Sequence, residues 1–209
     1  MISSQKELAV ILSKLRTVPI PKVQAEQYQT PSNLAAEILW SAKMQGDIEN
    51  KVVGDFGAGN GIIGIGASLL GAKAVYFVEN DKDSLKTLKW NIEYVNKDVA
   101  PLRNTRVLNS DVRRFEIPCE VIIQNPPFGT RQRHIDQIFL MSAFRIAPIV
   151  YSFHKKTTMS FVRKFSEENK FKIMNLFDFK FPLKNTMPHH KKKVELIDVI
   201  CVRLVKAVL

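Results

Sequence analysis

The chain has 209 residues, of which 45% are hydrophobic and 24% are charged. This length and composition provide enough apolar surface for one well-buried core, which excludes a disordered tail and a collagen-like repeat. Lysine and arginine number 31 against 20 acidic residues, so the formal net charge of +11 favours a polyanion such as RNA or DNA as the partner.

The amino-terminal part predicts two helices separated by an extended segment. Leucine and isoleucine recur at helical spacing within residues 1–15, and prolines at positions 19 and 21 then keep the chain out of a helix. Thr30 is predicted to cap a second helix that has Pro31 in its first turn and continues to about residue 44. We expect residues 1–46 to form a helical lid on a core of residues 47–209, all within a single domain.

From residue 51 onward, short runs rich in β-branched and aromatic residues alternate with longer runs of helical periodicity. The predicted strands are residues 51–56, 74–78, 106–108, 121–123 and 149–151, and the predicted helices between them are residues 62–70, 82–96 and 135–147. Two further strand-like runs, residues 171–179 and 194–205, are expected to pair antiparallel across a basic loop at residues 182–193. The predicted fold class is therefore α/β: a Rossmann-like, doubly wound sheet of seven mostly parallel strands with an antiparallel C-terminal hairpin.

Neither a membrane span nor a metal site is expected. The longest apolar candidate, residues 62–72, is interrupted by three glycines and is shorter than the ~20 residues that a spanning helix needs. Cys119 and Cys201 lie far apart and outside any Cys-x-x-Cys spacing, which excludes a disulfide framework and a thiolate zinc site. This cysteine usage favours a reducing, cytoplasmic setting.

A glycine-rich loop, Asp55-Phe56-Gly57-Ala58-Gly59-Asn60-Gly61, joins the first predicted strand of the sheet to the helix that begins at Ile62. Such a loop brings bare backbone against a ligand at the start of a helix. Residues 59–64 also satisfy the dinucleotide fingerprint G-x-G-x-x-G, with Glu79 placed as a ribose-binding acid. The carboxylate of Asp55, however, would repel a pyrophosphate and favours a cofactor that carries a sulfonium and an ammonium group.

This loop, with one acid before it and another at the end of the next strand, resembles the cofactor loop of class I S-adenosylmethionine-dependent methyltransferases. Glu79 is expected to accept hydrogen bonds from both ribose hydroxyls, and Asp111, after the third strand, to accept one from the adenine amino group. The expected cofactor is therefore S-adenosylmethionine. In the alternative interpretation the glycines only permit a tight turn and the acids cap helices, as Asp81 is placed to do.

The sequence Asn125-Pro126-Pro127-Phe128 follows the fourth predicted strand and resembles the catalytic motif of amino-methyltransferases, which act on base amino groups or on the glutamine amide. An exocyclic amino group is a poor nucleophile because its lone pair is delocalised into the ring. In the rigid turn made by the two prolines, the Asn125 side-chain oxygen and the Pro126 carbonyl oxygen would each accept one amino hydrogen and direct the lone pair at the sulfonium methyl group. Phe128 would stack on the target base.

Three segments, residues 26–31, 125–130 and 152–156, together resemble the methyltransferase-like protein five family, and the resemblance extends over nearly the whole chain. That family installs N6-methyladenosine in small-subunit ribosomal RNA, so the resemblance implies the same activity here. It also implies a cofactor site, which with the loop residues comprises Gln27, Thr30, Asp55, Gly57, Gly59, Asn60, Ile62, Glu79, Asp111 and Val112. In eukaryotes a small zinc-binding activator subunit adds a strand beside the third strand of the sheet, which would be residues 105–109 here.

Positive charge is concentrated in residues 151–193, which carry 11 lysines and arginines against 3 acids. The residues expected to contact RNA phosphates are His154, Lys155, Lys156, Lys191, Lys192 and Lys193. Two other functions stay open: a protein-glutamine N5-methyltransferase acting on a translation release factor, and a non-catalytic RNA-binding assembly factor on a methyltransferase scaffold. The strongly basic composition, and Phe128 where the glutamine enzymes usually have tyrosine, favour RNA.

Overall fold

The computed structural model describes residues 2–18, 29–127, 135–184 and 194–207. The helices in this part of the chain are α1 (Gln5–Ser13), α2 (Ser32–Met44), α3 (Ile62–Leu69), α4 (Lys82–Asp98), α5 (Ile135–Ile146) and α6 (Met159–Glu168). The strands are β1 (Val52–Phe56), β2 (Ala74–Glu79), β3 (Thr105–Asn109), β4 (Val121–Gln124), β5 (Ile149–Lys155), β6 (Phe171–Lys184) and β7 (Val194–Lys206).

The strands form one seven-stranded sheet in the order β3-β2-β1-β4-β5-β7-β6. Strand β7 runs antiparallel to both of its neighbours, β5 and β6, whereas the other neighbouring pairs are parallel. The strands can run parallel because a helix after β1, β2 and β4 returns the chain to the end of the sheet where the strands begin. The predicted α/β fold, a mostly parallel seven-stranded sheet with an antiparallel C-terminal hairpin, is confirmed.

Two apolar cores cover the two faces of the sheet. Buried side chains of α1, α2, α3 and α4 pack on one face, where β5 contributes Tyr151 and Phe153. Buried side chains of α5 and α6 pack on the other face, where β5 contributes Val150. Because β4 is buried at every position, its sequence Val121-Ile122-Ile123-Gln124 shows a continuous run instead of an alternating pattern.

The structure differs from the sequence prediction in several elements. Strand β5 continues to Lys155 instead of ending at residue 151. Helix α6 was not predicted, because Val162 and Ser166 are its only fully buried positions and its two phenylalanines are half-buried. Strand β6 continues through Pro182 to Lys184, so the strand is longer than predicted. The prediction that Thr30 caps α2 is wrong, since Pro31 occupies the cap position and makes no side-chain cap bond.

A buried ionic cluster ties the end of α2 to the sheet. The carboxylate of Asp47, a residue that is 3% exposed, accepts hydrogen bonds from the Tyr151 hydroxyl of β5 and from Arg203 Nε of β7, both at 2.7 Å. Arg203 Nη2 donates to the second oxygen of Asp47 at 3.2 Å. Burial and the bond to Asp47 both raise the pKa of Tyr151, so its hydroxyl stays protonated as a donor.

Among the described residues, no helix combines the length and the apolar character needed to cross a membrane. In the same part of the chain, no three His, Cys, Asp or Glu side chains converge as a metal site would require. Cys119 and Cys201 are both buried free thiols.

Candidate active site

The residues predicted to bind the cofactor and the acceptor meet at the carboxyl edge of the parallel strands. Phe56 at the end of β1 pairs with Val78 of β2 on one side and with Gln124 of β4 on the other. Glu79 in turn pairs with Asn109, the last residue of β3. The loop after β1, the acid that closes β2, the turn after β3 and the Asn-Pro-Pro sequence after β4 are therefore neighbours, at the edge where open α/β sheets bind ligands.

The glycine-rich loop needs glycine for its backbone conformation and for space. Gly57, Gly59 and Gly61 have φ angles of +67°, +57° and +85°, a region that other residues rarely adopt. A Cβ atom on Gly61 would also lie 2.2 Å from Cδ1 of Leu88. The N–H groups of Gly57 and Ala58 donate to the Val78 carbonyl oxygen at 2.9 and 3.1 Å, which fixes the loop against the end of β2.

Glu79 is held at the edge of this loop by backbone donors. Its Oε2 accepts from the Gly59 N–H at 2.8 Å, and its Oε1 accepts from the N–H groups of Asn80 and Asp81, both at 2.8 Å. The residue is 7% exposed. Asp81 caps α4 through the N–H groups of Asp83 and Ser84, so the loop and the start of α4 share one hydrogen-bonded frame around the Glu79 carboxylate.

Asp55 lies beneath the loop and is 1% exposed. Its Oδ2 accepts from the Gly64 N–H at 2.8 Å, which attaches the end of β1 to the first turns of α3. Burial raises the pKa of Asp55 to about 7; the Gly64 bond opposes this shift, and the charge of Glu79 adds to it. In this position Asp55 acts as a brace between strand and helix and does not face solvent.

Asn60 directs its side chain toward the amino-terminal segment. Its Oδ1 accepts from the Ile62 N–H at 3.3 Å, and its Nδ2 donates to the carbonyl oxygen of Arg16 at 3.0 Å. Asn60 and Ile62 are 3% and 7% exposed, respectively. The loop residues that sequence reasoning assigned to the cofactor therefore also carry internal contacts of the fold.

Asp111 follows β3 and is clamped by an arginine two residues later. Its Oδ1 accepts from the N–H of Arg113 at 2.8 Å and from Nε at 2.9 Å, and its Oδ2 accepts from Nη2 at 2.7 Å. The bond from Arg113 lowers the pKa of Asp111, so its carboxylate stays an acceptor. The neighbouring Val112 is buried in the core that α5 and α6 cover.

The described part of the predicted catalytic motif, Asn125-Pro126-Pro127, begins directly after β4. Asn125 Nδ2 donates to the Thr30 hydroxyl oxygen at 2.9 Å, and Thr30 is 6% exposed. This bond places the amide nitrogen toward Thr30 and the amide oxygen on the opposite side. Thr30 and Asn125 are thus brought together from segments 95 residues apart.

The described basic residues differ in exposure. His154, at the carboxyl end of β5, is 1% exposed, and its Nδ1 lies 3.7 Å from Oδ2 of Asp136. The ammonium group of Lys156 is exposed and pairs with Asp178 of β6. Lys155 is half-buried at the end of β5. The predicted site residues Gln27, Phe128, Lys191, Lys192 and Lys193 lie outside the described residues.

Sequence reasoning missed three polar residues of the site. They are Arg16, Asn91 and Arg113, which contact Asn60 or Asp111. The Asp-x-Arg spacing of residues 111–113 is a local signal that could have indicated the clamp. Arg16 and Asn91 join segments 75 residues apart, so no local pattern marks their contact.

The fold, the glycine-rich loop with its acids and the Asn-Pro-Pro turn define a class I S-adenosylmethionine-dependent methyltransferase. The Methyltransferase small domain family matches residues 32–148. The rRNA N(6)-adenosine-methyltransferase METTL5 of Danio rerio is 32% identical over 95% of this chain and 97% of its own length, and its Drosophila melanogaster counterpart is 32% identical over 86% and 85%. The crystal structure of PH1948 from Pyrococcus horikoshii, described as a candidate RNA methyltransferase, superposes with a TM-score of 0.88 at 41% identity over 100% of both chains. The chain belongs to the METTL5 family.

Proposed function

We propose that this protein transfers a methyl group from S-adenosylmethionine to N6 of an adenosine in small-subunit ribosomal RNA. The observation that carries the proposal is the position of the Asn-Pro-Pro motif, which follows β4 at the strand end next to the glycine-rich loop after β1, with Asn125 held by the Thr30 hydroxyl. Support also comes from the relatives named rRNA N6-adenosine methyltransferases, which match this chain over most of its length.

The described residues fit S-adenosylmethionine chemically. Glu79 supplies a fixed carboxylate for the two ribose hydroxyls, and Asp111 supplies an acceptor for the adenine amino group, with Val112 as its apolar neighbour. Gly57 and Gly59 leave room for the ligand against bare backbone. In this proposal the remaining cofactor contacts come from Gln27 and Thr30, while Asp55, Asn60 and Ile62 hold the shape of the loop.

When bound, S-adenosylmethionine supplies an electrophilic methyl group, and the chain's own residues must prepare the acceptor. The Asn125 side-chain oxygen and the Pro126 carbonyl oxygen each accept one hydrogen of the target amino group, which draws its lone pair out of conjugation. Pro127 stiffens the turn, and Phe128 stacks on the adenine. The amino proton leaves after the transfer, so this scheme uses no strong base.

The basic C-terminal part is proposed to position the RNA by its phosphates. Lys155 ends β5 and Lys156 follows it, at the same edge of the sheet as Asn125. Lys191, Lys192 and Lys193 add three charges in the connection between β6 and β7. The ring of His154 is shielded from solvent, so we assign the phosphate contacts to the lysines and leave His154 out of them.

A small zinc-binding activator subunit is a further part of this proposal. Strand β3 pairs with β2 on one side, and within the described part of the chain no strand pairs with its other side. A partner could therefore extend the sheet by hydrogen bonding along Thr105–Asn109. We propose that the protein and this partner act on the ribosomal RNA in the cytoplasm.

The decisive experiment incubates the purified chain, with and without an activator subunit, with methyl-labelled S-adenosylmethionine. Separate reactions contain small-subunit RNA, large-subunit RNA or a translation release factor, and the labelled product is digested and identified. Labelled N6-methyladenosine from small-subunit RNA supports the proposal. Labelled N5-methylglutamine would instead establish the protein-glutamine activity.

A variant assigns the chemistry to the Asn-Pro-Pro motif. Asn125→Ala is expected to abolish transfer while the dissociation constant for S-adenosylmethionine stays nearly unchanged. Equal activity in this variant would refute the role of Asn125. Replacing Lys191, Lys192 and Lys193 by alanine is expected to raise the RNA concentration required and to flatten its salt dependence.

A further inference from the structure

A buried asparagine of α4 connects the amino-terminal segment with the glycine-rich loop. Asn91 is 0% exposed. Its Oδ1 accepts from the N–H of Arg16 at 2.8 Å, and its Nδ2 donates to the carbonyl oxygens of Arg16 at 3.1 Å and of Asn60 at 2.8 Å. One side chain thus contacts the backbone of two distant segments.

Asn60 completes a closed set of contacts. Its Nδ2 donates to the same Arg16 carbonyl oxygen at 3.0 Å, while its Oδ1 accepts from Ile62 at the start of α3. The backbone carbonyl of Asn60 is therefore held by Asn91, and its side chain is held by Arg16 and Ile62. Asn60 lies between Gly59 and Gly61, whose left-handed conformations set the path of the loop.

The side chain of Arg16 adds a second attachment to α4. Its guanidinium carbon lies 3.4 Å from the ring centroid of Trp90, the residue that precedes Asn91. The Trp90 ring also stacks in parallel on Tyr94, with the ring centroids 5.5 Å apart. The Arg16 guanidinium is attracted to the face of the Trp90 ring. This contact helps to hold the backbone of Arg16 where Asn91 and Asn60 bind it.

The amino-terminal segment lies outside the part that the Methyltransferase small domain matches, residues 32–148. It nevertheless contacts the glycine-rich loop through Arg16 and the catalytic motif through Thr30. We propose that Asn91 is a positioning residue, which fixes the glycine-rich loop in its ligand-binding conformation by joining Asn60 to Arg16. This inference rests on the cofactor-binding role proposed above for the loop.

A purely packing role for this position would call for an apolar side chain. The other buried positions of α4 near Asn91 include Leu88 and Val95, and both belong to the core. Asn91, between these apolar positions, supplies one acceptor and two donors to backbone groups that are shielded from water. Its loss leaves those groups unsatisfied, and the loop then samples other conformations.

The test measures S-adenosylmethionine binding by calorimetry to the full chain without RNA. The variants are Asn91→Ala, Asn60→Ser and the double variant; serine can still cap the Ile62 N–H but does not reach Arg16. Each single variant is expected to weaken binding about tenfold, the loss of roughly one buried hydrogen bond. The double variant is expected to lose little more. In a separate assay with RNA and saturating donor, Asn91→Ala is expected to keep kcat within about twofold of wild type.

Asn96→Ala is the matched control, because Asn96 lies on the same helix and bonds only to the Leu102 N–H among the described residues. The dissociation constant of Asn96→Ala for S-adenosylmethionine is expected to equal that of wild type. Folded single variants that bind like wild type, or single losses that multiply in the double variant, would overturn the proposal. If Asn91→Ala does not fold, wild-type binding by Asn60→Ser alone overturns it. A wrong assignment of the RNA acceptor would leave all of these binding results unchanged.

Discussion

The amide nitrogen of Asn125 lies 2.9 Å from the hydroxyl oxygen of Thr30, which joins the residue after β4 to the residue before the α2 cap. An asparagine amide can be placed in two orientations that exchange its oxygen and nitrogen. In the structure the amide nitrogen faces Thr30 and the threonine hydroxyl oxygen accepts from it. In that orientation the oxygen is directed away from Thr30, as the proposed acceptor of an amino hydrogen requires.

Replacing Thr30 by valine is expected to lower kcat for methyl transfer about tenfold, because Asn125 then loses the hydrogen bond that holds its amide in place. The size and shape of the side chain are kept, so the fold should be unaffected. Thr30→Ser keeps the hydroxyl and is expected to recover most of the rate. Single-turnover kinetics with saturating donor and RNA measure the effect, and a wild-type rate in Thr30→Val would contradict it.

The contrast between Thr30 and the strands shows what the sequence could reveal. The strands were predictable because parallel strands buried on both faces appear as short apolar runs, such as residues 121–123. The glycine-rich loop and Glu79 were predictable because each stands at the carboxyl end of a predicted strand, the loop after β1 and Glu79 at the end of β2. Thr30 followed by proline has the local pattern of a helix cap, and nothing within a few residues indicates that its partner is Asn125.

The same limit applies to residues that act across the fold. Asn91 resembles any polar position of an amphipathic helix until Arg16 is placed against it. His154 was predicted to contact RNA phosphates, but the alternation of β5 turns its side chain toward α5. The side chain of the next residue, Lys155, lies on the opposite side of the strand. Local patterns thus predicted the glycine-rich loop and its proposed role, whereas long-range contacts determine how that loop is held.

Asp111 and Arg113 are expected to select the adenine of the cofactor. Within the described part of the chain, Oδ1 of Asp111 accepts two hydrogen bonds and Oδ2 accepts one, so Oδ2 keeps a lone pair with which it could accept from the adenine amino group. Hypoxanthine, the base of inosine, has a carbonyl oxygen where adenine has its amino group, and the Asp111 carboxylate would repel that oxygen. Wild type should bind S-adenosylhomocysteine at least about tenfold more tightly than its inosine analogue.

Variants distinguish the contributions of Asp111 and Arg113 to this preference for the adenine-containing ligand. Asp111→Asn is expected to remove most of this preference, because an amide can also donate to the inosine oxygen. Arg113→Ala is expected to reduce this preference, since the carboxylate then loses the two side-chain hydrogen bonds that help to fix its orientation, and its pKa is lowered less. Arg114→Ala serves as the control, because Arg114 is exposed and acts on Asp111 only through its charge. An unchanged preference in Asp111→Asn would show that the adenine binds elsewhere.

The buried carboxyl of Asp55 is expected to make the protein less stable as the pH rises from about 4 to about 7. Burial raises the pKa of the folded state from 3.8 to about 7, so the unfolded chain loses this proton first. The contribution of Asp55 to the free energy of unfolding therefore falls by up to roughly 4 kcal/mol across that interval in the absence of the cofactor. Above about pH 7 this contribution is constant.

Denaturant unfolding of wild type and Asp55→Asn at several pH values tests this expectation. Asparagine can accept the Gly64 bond without ionising, so its stability lacks this dependence on pH. Subtracting the variant's free energy of unfolding from that of wild type removes the contribution of the other titrating groups. The difference should decrease as the pH rises to about 7; a difference that is constant with pH would contradict the shift.

The Asp47 cluster is expected to be a major source of stability at the junction of α2 with β5 and β7. Arg203→Met leaves a buried carboxylate without its cation and should lower the free energy of unfolding by about 3–5 kcal/mol. Tyr151→Phe removes one neutral donor from the same carboxylate and should cost about 1–2 kcal/mol. Adding Asp47→Leu to Arg203→Met should recover part of the loss, because the unpaired charge is then removed.

The exposed pair Lys180–Asp198 provides the comparison for this cluster. Both side chains are about half or more exposed, so Lys180→Met should change the free energy of unfolding by less than about 1 kcal/mol. Chemical denaturation of the five proteins at neutral pH ranks the effects. Equal losses in Arg203→Met and Lys180→Met would mean that the Asp47 carboxylate reaches solvent. No recovery in the double variant would mean that Arg203 stabilises the junction mainly through the packing of its alkyl chain.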